Sequence, residues 1–561
     1  MIENKKLRIG SSIYFLFYLV ITIILTYPLI LHLPDGVLGH DALYASWLFA
    51  WGAHQIFHDP MHLFDTNLYY PDKNTLANGE HMLGYLTLTI PLFLIFKNCL
   101  LVHNILLILT MAATAWTSYL LAAKLTGSDK AGWIAGLIFG FCPFKFAHIF
   151  HIELAASFLF PLAFLGLFQL FKKPGWKPWV LMTVSFIGQG LMSWYYGIYL
   201  TLGLIFFGLS TFTTGRFRFN KLYITYLLLT LFLSTIVFGS ICIPYFKATQ
   251  TMNFISSEQY MQFRSADLKS FLIAPAINRI YGNLITRPPG KFAIASLFPG
   301  ITCLVLVLIG IWSLFKKKSG FQEIIPWFIL FFAGFVLSLG PVLSLNGKDT
   351  GIKLPYFWLA KVPGFSGFRV PERVSVLTML ALSVLAAYGA DILFHRLKPK
   401  TTNILAILIS IIILMEYFSV PIPYNRIPVG NNIPLVYKWL EEQKGDFAII
   451  EYPFDSPELN NNILINDNIL YNYYSTYHWK KIVNSTGFHS KLYESILKKK
   501  WDFPDQQQVD LLRQNGVRYI IIHRKYLTPQ QDELINKRLS NLQLVNVFIK
   551  GDSDVVELVN R

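Results

Sequence analysis

The chain has 561 residues, of which 54% are hydrophobic and only 14% charged, and its mean hydropathy is +0.45. Soluble globular proteins carry about 25% charged residues, so this composition excludes an ordinary soluble enzyme. The formal net charge of +16 does not indicate a nucleic-acid-binding protein, because the basic residues lie in short clusters between apolar blocks, as in membrane proteins. The four cysteines lie in or beside apolar blocks, so they predict neither a disulfide framework nor a zinc site.

Eleven apolar blocks have about the length that crosses a hydrocarbon core, roughly 20 residues. They are Ser11–Leu31, Leu100–Ala123, Ala131–Phe146, Leu154–Phe171, Trp179–Ser193, Tyr196–Thr214, Leu222–Ile243, Phe292–Phe315, Ile324–Leu345, Val374–Leu393 and Asn403–Val420. The first block is too long for the core of a cleaved signal peptide, so we interpret it as a retained helix. The sequence therefore predicts an all-α polytopic membrane domain over residues 1–420, with about eleven transmembrane helices.

The orientation depends on one further block, Met82–Phe96, which is short and contains Pro91. These features favour a re-entrant or interfacial helix that does not cross the membrane. With that choice, six basic clusters fall on one side: residues 5–8, 124–130, 172–177, 216–221, 316–318 and 396–400. The positive-inside rule then predicts a cytoplasmic amino terminus in the inner membrane. The long first loop (residues 32–99), residues 244–291 and residues 346–373 are predicted to be external, although the last loop is itself basic.

The region after Pro421 changes character. Four prolines between residues 421 and 434 indicate a linker, Leu435–Gln443 reads as a helix, and Asp446–Tyr452 and Val517–His523 read as buried strands. Leu542–Ile549 and Val555–Val559 flank a Gly-Asp turn and predict a hairpin. Residues 421–561 are therefore predicted to form an extracytoplasmic α/β domain. Glu451, Asp455, His478 and His489 are scattered along it and do not suggest a site.

The first external loop begins with His40 and Asp41, followed by an aromatic helix that contains Trp47 and Trp51. Tryptophan favours the membrane interface, so this helix is predicted to lie along the surface. A carboxylate at that boundary can act as a general base toward a hydroxyl group. The structural alternative is that Asp41 is the N-cap of the helix, because Asp is a favoured capping residue.

A second polar group follows the third span, where His148, His151 and Glu153 end an apolar block. The two histidines are three residues apart and are predicted to share one helix face. Polar residues at such a position suggest a metal site, a proton relay or a phosphate contact. The alternative is that they are simply interfacial and hydrated.

A third candidate is the end of the third external loop, where Arg369 and Arg373 precede a span. Positive charge is disfavoured on this side, and the planar donor fork of arginine suits a lipid phosphate or pyrophosphate. The alternative is a surface pair with Glu372 or contact with lipid headgroups. Residues 193–197, Ser-Trp-Tyr-Tyr-Gly, are predicted to be an interfacial aromatic belt, with stacking on a sugar ring as a second possibility.

These features together resemble the GT-C superfamily, membrane glycosyltransferases that use polyprenyl-phosphate sugars as donors. Asp41 matches the acidic residue that these enzymes carry after their first helix, and His148, His151 and Glu153 fall where their second external loop has functional polar residues. The segments GHDALYASWLFAW, YYPDKNTLANGEH, FKFAHIFH, GFSGFRVPERV, STYHWKKIVNSTGF and GVRYIIIH are similar to a poorly characterised bacterial branch in or near that superfamily. Many members have paired acids in the first loop, whereas here His40 precedes Asp41.

The resemblance implies sugar transfer at the outer face of the membrane, from a polyprenyl-phosphate donor to a glycan, lipid or protein acceptor, with inversion at the anomeric carbon. Asp41 would be the base, Arg369 and Arg373 would bind the leaving phosphate, and His40, His148, His151 and Glu153 would contact substrate. No cofactor is required by the sequence, and a divalent metal ion is left open. The alternative is a non-enzymatic protein that binds, assembles or transports a lipid-linked envelope glycan.

Overall fold

The computed structural model describes the chain except for residues 1–2, 214–219, 252–257, 289–294, 316–317, 363, 455–456, 461–462, 485, 487–489, 543, 551–552 and 559–561. Helices predominate in the described residues. The helices before residue 252 are α1 (Glu3–Leu25), α2 (His40–His58), α3 (Leu86–Phe96), α4 (Cys99–Thr126), α5 (Asp129–Phe141), α6 (Pro143–Ala147), α7 (Ile152–Ala155), α8 (Leu159–Lys172), α9 (Trp176–Met192), α10 (Trp194–Thr213) and α11 (Lys221–Thr251).

The second half continues with α12 (Glu258–Phe263), α13 (Ile301–Phe315), α14 (Lys318–Ser338), α15 (Pro355–Leu359), α16 (Ser375–Phe394), α17 (Pro399–Glu416), α18 (Leu435–Glu442), α19 (Asp467–His478), α20 (Lys491–Leu497), α21 (Gln506–Gln514) and α22 (Pro529–Asn541). The strands are β1 (Gly36–Val37), β2 (Val342–Leu345), β3 (Lys348–Lys353), β4 (Asn425–Arg426), β5 (Ala448–Tyr452), β6 (Pro457–Asn460), β7 (Ile463–Asn466), β8 (Lys481–Ile482), β9 (Val517–His523), β10 (Val545–Lys550) and β11 (Ser553–Glu557).

The chain divides into two compact units. The first, which we call the membrane unit, contains residues 1–31, 106–240 and 253–422. The second, the mixed unit, contains residues 32–105, 241–252 and 423–561. The first long loop and the carboxy-terminal region therefore belong to the same unit.

Six helical segments in the described residues are long and apolar enough to span a membrane: Cys99–Thr126, Ile152–Lys172, Trp194–Phe212, Lys221–Thr249, Pro371–Phe394 and Pro399–Glu416. Four more apolar helices are shorter: Ser12–Leu25, Leu83–Phe96, Ile301–Ser313 and Gln322–Ser338. Some predicted blocks differ from the helices that form, including the following three. Pro143 interrupts Ala131–Phe146 after α5, helix α13 starts only at Ile301, and residues 342–345 form strand β2 instead of extending α14.

Burial distinguishes the helices of the membrane unit. Almost every residue of α16 is buried, as expected for a helix that is apolar on all sides, whereas α11 is almost wholly exposed and suits contact with lipid. Helices α13 and α16 approach closely at two glycines. A Cβ atom on Gly389 would clash with the Leu306 carbonyl, and one on Gly310 would lie 3.0 Å from the Gly389 nitrogen. Small residues allow such close packing between membrane helices.

The mixed unit is organised by a five-stranded sheet with the order β10-β11-β9-β5-β8, in which β5 pairs in parallel with β8 and β9. The apolar runs of β5 and β9 are buried, as parallel strands require. The first loop is joined to this region by backbone pairing. Strand β1 pairs with β4, and the Ile482 nitrogen donates to the Asn67 carbonyl at 2.7 Å. The carboxy-terminal region therefore holds the loop that carries Asp41.

Met82–Phe96 forms a short 3-10 turn followed by α3, an eleven-residue helix that contains Pro91. At about 1.5 Å per residue this helix is about 16 Å long, well short of a hydrocarbon core of about 30 Å. Because α13 is also shorter than the hydrocarbon core, length alone does not decide the matter, and the expectation that Met82–Phe96 does not cross stays a prediction.

Candidate active site

Five ionisable side chains meet in the interior of the membrane unit, where we call them the polar cluster: His148, His151, Glu153, Glu372 and Arg373. All five are buried. The His151 Nδ1 atom lies 3.1 Å from Glu153 Oε1, and the two histidine rings are 6.2 Å apart. The segments after α5 and before α16 therefore meet, although more than 200 residues separate them in the sequence.

The first half of the cluster follows an interruption of the helix after α5. Pro143 starts the short helix α6, which ends with His148 at its C-cap, and His151 is the N-cap of α7. The prediction that the two histidines share one helix face is therefore wrong, because neither lies within a helix. The alternative of a hydrated interfacial group is also wrong, since His148 is 1% exposed.

Lys145 and Tyr196 hold this segment in place. The Lys145 Nζ atom donates to the Leu154 carbonyl at 2.9 Å and to Ser157 Oγ at 2.7 Å, and its side chain is fully buried. The Tyr196 hydroxyl donates to the same Leu154 carbonyl at 3.0 Å. Two side chains thus fix the backbone that follows Glu153. Tyr196 is buried, so this part of the predicted aromatic belt belongs to the interior.

Glu372 faces His148 and is 1% exposed. The His148 Nε2 atom lies 3.9 Å from Glu372 Oε1, which is too long for a hydrogen bond. Neither carboxylate oxygen has a hydrogen-bond partner among the described residues. The predicted surface pair between an arginine and Glu372 is therefore wrong, because this carboxylate is in the interior. Burial lowers the pKa of His148 from its ordinary value, and Glu372 opposes that shift, so His148 is neutral near pH 7.

Three arginines accompany the two buried carboxylates. Arg373 is 7% exposed, lies 4.8 Å from the centre of the Tyr195 ring and interacts electrostatically with Glu153 and Glu372. Arg264 also interacts with Glu372, and Arg369 lies over the ring of Tyr260 at 5.5 Å. Arg373 and Arg264 thus match the two carboxylates in charge. Arg369 adds a third guanidinium group beside them, over the Tyr260 ring that Arg264 also contacts at 6.0 Å. Guanidinium donors of this kind suit an anion.

Sequence reasoning missed Arg264, the contact between Tyr195 and Arg373, and the burial of Glu372. Arg264 lies within residues 244–291, which the sequence predicts to be external, and no motif surrounds it. The sequence signal for Glu372 was its position between Arg369 and Arg373, just before an apolar block. An ionisable residue at such a position is costly unless it has a function.

His40 and Asp41 lie in the mixed unit, at the start of α2. The N-cap of this helix is Gly39 and no side chain caps it. Asp41 is the second helical residue, so its prediction as the N-cap is wrong, although a negative charge in the first turn still stabilises the helix dipole. Its side chain is 44% exposed, and its Oδ1 atom lies 4.0 Å from His40 Nδ1.

Aromatic side chains surround the first turn of α2. Tyr44 interacts with Asp41, Tyr69 and Tyr245, and burial, followed by these neighbours, raises its pKa well above the ordinary value. The Tyr245 hydroxyl donates to the Gly79 carbonyl at 2.6 Å. The hydroxyl of Tyr44 therefore stays protonated and can donate a hydrogen bond next to the Asp41 carboxylate.

A metal ion was left open by the sequence. Among the described residues, no three His, Cys, Asp or Glu side chains are grouped so that they could hold a metal ion. The polar cluster of the membrane unit has the right residue types but not the required geometry.

No family model and no curated protein sequence matches the chain. Solved structures are similar in fold. The arabinofuranosyltransferase AftD from Mycobacteria is 12% identical with a TM-score of 0.63, over 99% of this chain and 40% of that one. A mutant of AftD gives 13% identity and a TM-score of 0.55, over 99% and 42% of the two chains. The chain thus spans about two fifths of the length of AftD.

The archaeal oligosaccharyltransferase AglB from Archaeoglobus fulgidus, solved with an inhibitory peptide and a dolichol-phosphate, is 11% identical with a TM-score of 0.50. The match covers 92% of this chain and 69% of that one. AftD and AglB are both members of the GT-C superfamily. The resemblance predicted from the sequence is therefore confirmed at the level of the fold: this chain is a multi-pass membrane protein with the GT-C fold.

Proposed function

We propose that this chain is a membrane glycosyltransferase that moves a sugar from a polyprenyl-phosphate donor to an acceptor at the outer face of the inner membrane. The observation that carries the proposal is the polar cluster. Buried ionisable groups at the ends of membrane helices are costly and usually functional, and here they occur in a fold that AftD and AglB share. The same proposal includes about eleven spans, a cytoplasmic amino terminus and an external α/β domain over residues 421–561.

In this proposal the cluster binds the donor phosphate. Arg373 and Arg369 donate hydrogen bonds to the phosphate oxygens, and electrostatic stabilisation of the leaving phosphate lowers the barrier. Glu153 and Glu372 neutralise part of the positive charge before the donor arrives and orient the guanidinium groups. His148 is neutral and can donate one hydrogen bond without adding charge, and His151 contacts the substrate beside Glu153.

Asp41 acts as the general base, and His40 beside it contacts the acceptor. The acceptor hydroxyl gives its proton to the Asp41 carboxylate while its oxygen forms a bond to the anomeric carbon. The bond between that carbon and the phosphate oxygen breaks, and the polyprenyl phosphate leaves with the electron pair. Attack from the face opposite the phosphate inverts the anomeric centre. The mechanism requires the carboxylate and the arginines to face one substrate.

The mixed unit gives the carboxy-terminal region a role in this mechanism. Because β4 and residues 480–482 pair with the first loop, we propose that the region positions Asp41 and contributes to acceptor recognition. The acceptor is a glycan, lipid or protein that presents a hydroxyl group at the membrane surface.

The test is transfer by the purified protein in nanodiscs, with a panel of polyprenyl-phosphate hexoses and pentoses and membrane-extracted acceptors. Removing a general base typically reduces the rate about 10²- to 10⁴-fold, so Asp41→Asn should abolish most turnover. Asp59→Asn is the matched control, because Asp59 is an exposed acid at the other end of the same helix. Unchanged transfer by Asp41→Asn would exclude this residue as the base. Donor binding by a wild-type protein that transfers nothing would favour the non-enzymatic alternative.

A further inference from the structure

An apolar groove opens on the surface of the membrane unit between its first helix and the last helix before the carboxy-terminal region. Its volume is about 410 Å³, and every residue that lines it is apolar: Ile21, Ile24, Leu25, Ile280, Ile411, Leu414, Met415 and Phe418. We call it the α1–α17 groove. The lining positions on each helix extend over five residues, or about 6 Å of helix axis. This groove does not include any member of the polar cluster.

A cation lies at one end of the groove. The Arg279 backbone nitrogen donates to the carbonyl of Phe418 at 2.9 Å, and the next residue, Ile280, is part of the wall. The Arg279 side chain is exposed, and its Nε atom donates to the Val420 carbonyl at 3.0 Å. Among the described residues no carboxylate lies within 4 Å of this guanidinium group. Its two terminal nitrogens are thus available to an anion.

The nearby carboxylate of Glu416 already has hydrogen-bond partners. Glu416 accepts hydrogen bonds from the Tyr281 hydroxyl at 3.1 Å and from the Thr302 nitrogen at 3.1–3.2 Å. It therefore stabilises the start of α13 and does not neutralise Arg279. A phospholipid has a phosphate at one end and hydrocarbon chains at the other. The exposed guanidinium group suits the phosphate, and the wholly apolar groove suits a hydrocarbon chain.

We propose that the α1–α17 groove binds one acyl chain of a glycerophospholipid, whose phosphate is held by Arg279. The short axial extent of the groove fits the upper part of a single chain directly below its headgroup. Glycerophospholipids surround this surface at high concentration, so even a low affinity for one of them fills the site by mass action. The charge pattern predicts that this end of both helices faces outward, which assigns the lipid to the outer leaflet. This proposal does not depend on sugar transfer.

The experiment uses the full chain in nanodiscs that contain phosphatidylglycerol with a photoactivatable diazirine in its acyl chain. After illumination, cross-linked peptides are identified by mass spectrometry. We expect adducts to concentrate on the peptides that contain Ile280 and residues 411–418. Arg279→Gln removes the phosphate partner, and Leu414→Trp fills the groove. Arg279→Gln should reduce labelling there about fivefold or more, the range for loss of one partly exposed charge-assisted contact. Leu414→Trp should reduce it by a similar factor, because the larger side chain occupies the space of the acyl chain.

Two matched controls separate this site from general contact with lipid. Arg396→Gln removes another exposed arginine, and Leu227→Trp adds the same bulk to the exposed surface of α11; neither should change labelling of the groove. Because Arg279 is exposed, its variant should fold normally, which thermal unfolding checks. Equal labelling of all exposed helices, or unchanged labelling in both groove variants, would overturn the proposal. So would displacement of the probe by an equimolar amount of polyprenyl phosphate, because the occupant would then be a different lipid.

Discussion

Replacement of Arg373 tests the polar cluster in two separable ways. Arg373→Lys keeps the positive charge opposite Glu153 and Glu372 but loses the planar donor fork. Arg373→Gln removes the charge and leaves two buried carboxylates with one cationic partner fewer. The first substitution therefore tests catalysis, and the second tests the buried ion network.

The magnitudes follow from the burial of the site. Breaking a buried ion pair by removing one partner costs about 3–5 kcal/mol. Arg373 is only 7% exposed and interacts with Glu153 and Glu372 through space, without direct contact to either carboxylate among the described residues. Arg373→Gln should therefore lower the free energy of unfolding by less than that amount, about 1–3 kcal/mol. Arg373→Lys should cost much less stability. Loss of one preorganised donor to a developing charge reduces kcat about 10²- to 10³-fold, and we expect that loss from the lysine variant, because one ammonium cannot replace a bidentate contact.

Both quantities can be measured on the same nanodisc preparations, by transfer kinetics and by thermal unfolding. Arg396→Lys is the control for a surface arginine. The loss for Arg373→Lys should appear in kcat more than in KM, because the contact strengthens as the phosphate leaves. A lysine variant with wild-type kcat would refute the role of Arg373 in phosphate departure. A glutamine variant with wild-type stability would refute the buried network itself.

Two further predictions concern other residues. Lys145→Met removes the two hydrogen bonds that Lys145 makes to residues 154 and 157, but also a buried charge, so stability should change by less than about 2 kcal/mol. Transfer should fall roughly tenfold, because Glu153 is misplaced. The exposed Lys177→Met is the control, and unchanged transfer would contradict the anchoring role. His81 and His478 each accept a backbone hydrogen bond at Nδ1, and burial lowers the pKa of each to about 3. Below pH 6.5 the unfolded chain therefore takes up protons that the folded chain does not, and each histidine should cost about 2 kcal/mol of stability at pH 5 and nothing above pH 7. His478→Asn keeps a hydrogen-bond acceptor and should reduce the pH dependence of stability. The control His62→Asn should not change it. Equal slopes of stability against pH for the wild type and His478→Asn would exclude His478 as a source.

Apolar block length and local pattern made much of the fold predictable. Strand Val517–His523 has the predicted bounds, and α18 and β5 differ from prediction by a few residues. The errors in the spans have local causes. Pro143 cannot continue α5 without the loss of a hydrogen bond, and residues 342–345 pair with Lys348–Lys353 across a tight turn although they are apolar enough to read as helix.

The polar cluster was predictable only in part. His148, His151, Glu153 and Arg373 were candidates because ionisable residues beside apolar blocks are unusual. Their convergence with Glu372 depends on contacts between segments more than 200 residues apart, which hydropathy cannot supply. For the same reason, hydropathy could not indicate that the carboxy-terminal region forms one unit with the first loop. The pairing of Gly36–Val37 with Asn425–Arg426 involves two-residue strands that carry no recognisable pattern.

The most direct measurement is a cryo-EM structure of the protein with a polyprenyl phosphate bound. We predict headgroup density in hydrogen-bond contact with Arg373, with the Asp41 carboxylate facing the same cavity from the side of the transferred sugar. Density that places the phosphate away from the polar cluster, or places Asp41 on the opposite face of the bilayer from Arg373, would contradict the transferase mechanism.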